Sequence, residues 1–354
     1  MSIPKLRKKI DVIDARIISL LNERAKASLG IGKEKKKHNK GIYAPDRERE
    51  VLDRIKALNH GPMTAGALDA IYREVMSSSL SLEKPLRISF LGTEGSFTHM
   101  AATKKFGSQV EYVSCNSIDE VFQKVDHGDC DYGVVPVENS IEGAVTHTCD
   151  MLVDSDLKIC AQTTIKVEQH LLSKENLKNI KTIYSNPQSF GQCRQWLSAN
   201  LPLAGQIWVA SNTEAAQKAA KQRYSAAIAS SLAAKVYEVP IIRENIQDMA
   251  HNMTRFFVIA KQDVPPTGKD KTSLIFSIKD KVGALHDMLV PFRKLEINLT
   301  KIESRPSKKK AWDYYFFVDL IGHREDVKVK KALDQLESMC KYLKVVGSYP
   351  LEDI

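Results

Sequence analysis

Apolar residues recur at helical spacing up to Leu82, then give way after Pro85 to short apolar runs. Leu6, Ile10, Ile13, Ile17, Leu20, Leu21 and Ile31 follow the i, i+3, i+4 pattern of an amphipathic helix. The pattern predicts a first helix from near Pro4, a good first-turn residue, to the mid-thirties, about 45 Å at 1.5 Å per residue. Gly41 and Pro45 break it. A second helix opens at Asp46, carries Val51, Leu52 and Ile55, and stops before Gly61-Pro62. A third takes Leu68, Ile71, Val75 and Leu80 up to Pro85. So long a first helix has no core of its own to fold back on, and is expected to pack against a partner chain.

Beyond Pro85, short apolar runs hand over to polar, cap-like clusters and then to helical patterns. Ile88-Ser89-Phe90-Leu91 precedes Gly92-Thr93-Glu94-Gly95-Ser96, and Tyr132-Gly133-Val134-Val135 precedes Glu138-Asn139-Ser140. Thr182-Ile183-Tyr184 precedes Asn186-Pro187-Gln188-Ser189, and Ile207-Trp208-Val209-Ala210 precedes Ser211-Asn212-Thr213-Glu214. This βα alternation predicts α/β layers, in one or two lobes, to about residue 261. Val264 to Asp270 reads as a turn-rich linker, from which the tail is expected to be separable. The tail then reads strand (Ser273–Ile278), helix (Gly283–Leu295), strand (Ile297–Ile302), strand (Trp312–Ile321), helix (Asp326–Met339), strand (Tyr342–Gly347). The order βαββαβ is the ferredoxin-like arrangement.

Composition narrows the class. A chain of 354 residues with 43% hydrophobic and 27% charged residues suits two or three domains of about 100–150 residues and excludes wholesale disorder. No apolar run approaches the roughly 20 residues that cross a bilayer, and the first residues lack a signal-peptide pattern. Six scattered cysteines (115, 130, 149, 160, 193, 340) form no Cys-x-x-Cys, so neither a disulfide framework nor a metal cluster is expected, and a cytoplasmic location is. The net charge of +9 is concentrated at the front, where residues 1–85 hold 18 Lys and Arg against 11 Asp and Glu. A basic front end suggests an anionic partner: nucleic acid, a membrane surface or a small acid.

Which anion it is must come from spacing. Arg24 and Lys35 stand almost three whole turns apart on one helical stripe, about 16 Å along the axis, so their side chains can close on one small acid. Arg7 is about 25 Å from Arg24 and cannot join them within its own chain, although its copy in an antiparallel partner can. Asp46-Arg47-Glu48 opens the second helix, and Ser79 and Glu83 share a face of the third. Singly, each reads as a solvated surface charge, and Lys33-Glu34-Lys35-Lys36-Lys37 alone would suit nucleic acid as well.

As a set, residues 4–84 resemble the all-helical class of chorismate mutases. Leu6-Arg7-Lys8-Lys9-Ile10-Asp11, Asn22-Glu23-Arg24, Gly32-Lys33-Glu34-Lys35 and Asp46-Arg47-Glu48-Arg49-Glu50 carry the resemblance. It implies a site of Arg24, Lys35, Arg47, Glu48, Ser79 and Glu83 from one chain with Arg7 from the other, hence a homodimer. Chorismate is a dianion that rearranges pericyclically, so the site must grip two carboxylates and stabilise charge growing on the ether oxygen. Arg forks suit the carboxylates. Lys35 is the expected donor to the ether oxygen, with Glu83, which stands where many relatives have Gln, as the second catalytic candidate.

In the middle region, helix N-termini at the ends of strands suit an anion. Asn252-Met253-Thr254-Arg255-Phe256 adds a hydroxyl and a guanidinium side by side. There is no Gly-x-Gly-x-x-Gly and no P-loop. Residues 88–260 resemble prephenate dehydratase through Gly92 to Thr98, Val135-Pro136-Val137-Glu138-Asn139-Ser140, Asn186-Pro187-Gln188, Asn212-Thr213 and Thr254-Arg255-Phe256. The resemblance implies two α/β lobes, like type II periplasmic binding proteins, with a site of Glu138, Asn139, Ser140, Asn212, Thr213, Thr254 and Arg255 in the cleft. Prephenate loses water and carbon dioxide together, so the departing hydroxyl needs a donor. The family assigns that contact to Thr254. Arg255 is expected on the side-chain carboxylate, with Glu138 as an alternative acid if burial keeps it protonated.

Gly283-Ala284-Leu285-His286 and Glu303-Ser304-Arg305-Pro306 resemble an ACT domain, an amino-acid sensor, over residues 272–350. L-Phenylalanine is the implied effector, bound at Gly283, Ala284, Leu285, Glu303, Ser304, Arg305 and Pro306. The expected domains are 1–84, 86–262 and 271–351: an all-α mutase, a two-lobed α/β dehydratase and an α+β ferredoxin-like ACT domain. In that order the chain resembles the bifunctional chorismate mutase–prephenate dehydratases of phenylalanine biosynthesis. They convert chorismate to prephenate and then to phenylpyruvate, without cofactor, metal, nucleic acid or membrane. One rival is a ligand-sensing regulator, which explains the basic front but not the spacing of Arg24, Lys35, Arg47 and Ser79. Another is a dehydratase with a degenerate mutase region.

Overall fold

A computed structural model describes residues 2–37, 43–278, 281–307 and 313–352, with the Lys36 side chain excepted. Gly41 and Trp312, expected at a helix break and at the start of a strand, lie outside them. Two compact units result, one of residues up to Arg87 with Lys105–Glu111, the other of Ile88–Lys104 with Tyr112 onward.

The first unit is helical, with α1 (Ile3–Lys37), α2 (Pro45–Leu58) and α3 (Ala65–Glu83). Pro45 sits in the first turn of α2, where no N–H is needed. Thr64 caps α3 by accepting from the Ala67 N–H at 3.2 Å. Both α1 and α2 pack on α3. Much of α1 stays uncovered by the described residues: Ile10, Ile13, Ile17 and Leu21 are 42–56% exposed. No helix among the described residues is long and apolar enough to cross a membrane.

Strands and helices then alternate. The first lobe takes β1 (Arg87–Leu91), α4 (Phe97–Phe106), β2 (Glu111–Cys115), α5 (Ile118–His127), β3 (Tyr132–Asn139), β4 (Gly143–Ala144), α6 (Thr146–Asp154) and β5 (Lys158–Lys166). The second takes β6 (His170–Leu172), β7 (Thr182–Ser185), α7 (Pro187–Gln192), α8 (Arg194–Asn200), β8 (Gly205–Trp208), α9 (Asn212–Lys221), β9 (Ser225–Ala229), α10 (Ser231–Val236) and β10 (Ile241–Arg243). Its sheet runs β10-β6-β9-β7-β8. The chain then returns: β11 (Met253–Ala260) lies antiparallel between β3 and β5, giving the first lobe the order β2-β1-β3-β11-β5. Glu138-Asn139, expected in a helix cap, belongs to β3 because β11 pairs across it, and a hairpin to β4 follows.

The tail holds β12 (Asp270–Ser277), α11 (Ala284–Lys294), β13 (Leu299–Pro306), β14 (Tyr314–Ile321), α12 (Val327–Met339) and β15 (Tyr342–Pro350), in sheet order β13-β14-β12-β15. One face packs Leu274, Phe276, Val318 and Leu320 against Met288, Phe292 and Leu336 of the two helices. The other face puts Ile275, Phe317, Val346 and Tyr349 into the core of the first lobe, with Phe122, Leu152, Ile159 and Phe257. Gly347 runs so close to the Ile159 backbone that no Cβ fits. Lys344 Nζ donates to the carbonyls of Leu152, Val153 and Ser155 at 3.0, 2.9 and 2.5 Å, completing the C-terminal end of α6. The linker suggests a separable tail; the shared core makes it part of the dehydratase lobe.

Candidate active sites

In the helical unit, α1, α2 and α3 border a cavity of about 900 Å³. Arg24, Lys35, Arg47, Glu48, Ser79 and Glu83 all line it. Arg24 Nη1 donates to Ser79 Oγ at 2.6 Å, and Ser79 donates in turn to the Val75 carbonyl at 2.8 Å, which ties the guanidinium to α3. Burial pushes the Glu83 carboxyl above its ordinary value, while Lys35 pulls the other way. Glu83 Oε2 is buried and has no hydrogen-bond partner among the described residues. Such an atom is costly unless a ligand or water meets it. Arg47 Nη1 is 2.5 Å from Glu50 Oε2. Glu48 Oε2 accepts from the Tyr43 hydroxyl at 2.6 Å and lies 3.2 Å from Lys105 Nζ. Tyr43 and Lys105 escaped the sequence reading. Arg7 does not border the cavity and stays exposed on α1.

In the first lobe, Thr254 lies opposite Asn139 and Arg255 opposite Glu138. Successive strand residues point to opposite faces, so the hydroxyl and guanidinium that are side by side in sequence part company. Asn139 Oδ1 accepts the N–H groups of Ile141 and Glu142, both at 3.0 Å, which fixes the amide's orientation. Its Nδ2 therefore donates, to Asn252 Oδ1 at 2.6 Å and to Thr254 Oγ1 at 2.9 Å. As an acceptor from Asn139, the Thr254 hydroxyl keeps its own proton for another partner. Ser140 fastens the end of β3 to β11, its N–H on the Met253 carbonyl at 2.8 Å and its Oγ accepting the Met253 N–H at 2.9 Å.

The second lobe meets the first through Thr213, whose Oγ1 shares a 2.5 Å hydrogen bond with Thr93 Oγ1. Thr213 opens α9, where Ser211 caps the helix by accepting the Glu214 N–H at 3.0 Å. Asn212 Nδ2 donates to Ser189 Oγ at 2.9 Å.

On the opposite face of β11, Arg255 Nη1 lies 2.6 Å from Asp319 Oδ2 and Nη2 2.9 Å from Glu138 Oε2. Lys301 Nζ is 3.2 Å from Glu138 Oε1 and 3.3 Å from Glu303 Oε2. Burial works against the Arg255 charge, but Asp319, Tyr349 and Glu138 outweigh it and raise its pKa above the ordinary arginine value. The carboxylate grip expected of Arg255, and the proton expected of Glu138, thus meet side chains committed to ion pairs away from Thr254.

In the tail, Gly283 opens α11 with a φ of +77°, and the Ala284 N–H is taken by the Lys281 carbonyl at 3.2 Å. Glu303 and Arg305 lie toward the first lobe, Arg305 Nη2 being 3.4 Å from Asp150 Oδ1. Ser304, between them, is on the other face of β13 and exposed. The four residues from Glu303 to Pro306 are therefore divided between two environments.

A cation-lined helical cavity, two α/β lobes and a ferredoxin-like sheet define a multidomain enzyme for small acidic substrates. Family models match in the same order: Chorismate mutase type II over residues 6–84, Prephenate dehydratase over 88–264 and ACT domain over 272–338. The bifunctional chorismate mutase/prephenate dehydratase of Aquifex aeolicus is 49% identical over 98% of this chain and 97% of its own length. That of Pseudomonas aeruginosa is 44% identical over 98% and 96%. The chain belongs to the bifunctional chorismate mutase/prephenate dehydratase family. It rearranges chorismate to prephenate and converts prephenate to phenylpyruvate by loss of water and carbon dioxide. The crystal structure of prephenate dehydratase from Arthrobacter aurescens, in complex with L-Phe, superposes with a TM-score of 0.70 at 30% identity, over 75% of this chain and 90% of that one.

Proposed function

We propose that the cavity between α1, α2 and α3 is the mutase site and that Thr254 serves the dehydratase. The observation that carries the first half is the convergence of Arg24, Lys35, Arg47, Glu48, Ser79 and Glu83 from three helices on one cavity. Arg24 and Arg47 grip the carboxylates of chorismate, and Lys35 donates to the ether oxygen. Glu83 shares that oxygen when protonated. Arg7 comes from a second copy of the chain, whose own α1 covers the exposed stripe of Ile10, Ile13 and Ile17. The result is a homodimer, working in the cytoplasm without nucleic acid or membrane.

In the dehydratase, Thr254 donates its proton to the departing hydroxyl while Asn139 donates to Thr254. A hydroxyl that accepts one hydrogen bond is a better donor of the next. Thr213 holds the second lobe to the first through Thr93, and Ser140 keeps the end of β3 on β11. L-Phenylalanine binds beside Gly283–Leu285 and Ser304 across two copies of the tail, and acts on the first lobe through Lys301, Glu303 and Arg305. The test is to supply chorismate and follow prephenate and phenylpyruvate in Arg24→Ala and Thr254→Ala proteins. The first should lose only the mutase step and the second only the dehydratase step. If either substitution spares its own step, that site is misassigned.

A further inference from the structure

We infer that Lys105, which lies in the sequence matched to the dehydratase, is a positioning residue of the mutase reaction. The inference rests on reading the helical cavity as the mutase site. Lys105 and Phe106 form the last turn of α4, yet with residues 107–111 they belong to the helical unit and border its cavity. The segment is strapped to α3. Gly107, at a φ of +75°, leaves so little room that a Cβ would lie 2.5 Å from that of Ser77. The Gln109 N–H donates to Ser77 Oγ at 3.1 Å, and Ser108 Oγ donates to Glu74 Oε2 at 2.5 Å. Phe106 is buried, with its ring centroid 5.0 Å from that of Tyr43.

This strap delivers one ammonium to one carboxylate. Lys105 Nζ lies 3.2 Å from Glu48 Oε2 and 5.9 Å over the Tyr43 ring, and Tyr43 donates to the same oxygen. Glu48 and Lys105 side chains are only 14% and 22% exposed, so solvent screens the pair weakly. A carboxylate beside a dianion's site repels the substrate unless its charge is offset and its oxygens are aimed. Lys105 does both.

The test uses the full chain. Lys105→Met keeps the apolar stem over Tyr43 and removes the charge. A charged hydrogen bond of this kind predicts a loss of about tenfold or more in mutase kcat/KM. Prephenate turnover should be unchanged, and Lys105→Arg should restore most of the loss. In a Glu48→Gln background, Lys105→Met should cost nothing further, since its partner charge is gone. An equal loss in that background, or a Lys105→Met protein with normal mutase activity, overturns the inference. Arg24→Ala run in parallel separates the two failures: if it too leaves the mutase intact, the cavity is not the site.

Discussion

Arg255 and Asp319 form a 2.6 Å ion pair between β11 of the dehydratase lobe and the sheet of the tail, with Ser273 Oγ donating to the other oxygen of Asp319. Both side chains are nearly covered, at 13% and 7% exposed. The residue that adjoins Thr254 in sequence therefore reports to the regulatory sheet rather than to the cleft. Removing one partner of such a pair typically costs about 3–5 kcal/mol, because the other charge is left buried. Glu138 remains beside Arg255, so Asp319→Asn is expected near the lower end, about 3 kcal/mol. Urea inactivation of prephenate turnover reads the loss, and inhibition by L-phenylalanine should weaken with it. A variant that matches the parent in both would make the pair a bystander.

Thr254→Ala should lower dehydratase kcat by about 10²–10³-fold with a smaller change in KM, as expected for a preorganised donor used in the transition state. Asn139→Ala should lower kcat in the same direction, since it leaves the hydroxyl unoriented. Mutase rates on chorismate serve as the internal control. A Thr254→Ala enzyme within tenfold of the parent would move the donor role to another group.

Glu83 sets a pH dependence. Because burial raises its pKa, the carboxyl holds its proton to higher pH than an ordinary glutamate. The donor form prevails on the acid side and is lost as pH rises through the raised value, so mutase kcat should fall with rising pH. Glutamine carries its N–H throughout. Glu83→Gln should flatten the profile and be the faster enzyme above neutrality. An unchanged profile would leave Lys35 as the donor to the ether oxygen.

Arg7 lies too far along α1 from Arg24 to share a ligand in one chain. Arg7→Ala and Arg24→Ala proteins, each inactive as a mutase, should regain part of the activity after subunit exchange, because a mixed dimer holds one intact site. Verified mixed dimers without activity would mean that the site is complete in one chain.

Ending the chain near residue 265 should abolish the dehydratase rather than merely its regulation. Removing Ile275, Phe317, Val346 and Tyr349 uncovers Phe257 and Ile159, which are at most 3% exposed. Soluble yield and prephenate turnover decide the matter. An active, phenylalanine-insensitive fragment would show that the shared core is dispensable.

The helices, the βα alternation and the ferredoxin-like order were legible because each has a strong period or a punctuating Gly or Pro, whereas the division into two lobes rested on the resemblance. Of the six cavity residues, Arg24 with Lys35 and Ser79 with Glu83 follow the helical repeat, while Arg47, Glu48 and the set as a whole rest on the resemblance to chorismate mutases. Where the Arg255 side chain goes is not legible in sequence for a physical reason: adjacency to Thr254 means opposition on a strand, and Glu138, which looks like part of a cap, is a strand residue opposite Arg255. Asp319 does offer a signal: an acid inside Tyr315-Phe316-Phe317-Val318-Asp319-Leu320-Ile321, on the same strand face as Phe317, is expected to be buried and therefore paired. Lys105 offered none, since no local pattern links it to Glu48, and only the folded chain brings them together.

The strand order of the first lobe carries a consequence for how the protein is made. β11 lies between β3 and β5, yet the whole second lobe precedes it in sequence. A ribosome must synthesise that lobe before the strand that joins β3 to β5 exists. Until then β3 and β5 each present an unpaired edge, the kind of surface that invites wrong partners. Thr254 travels on the late strand, so its hydroxyl can meet Asn139 only after both lobes have been synthesised.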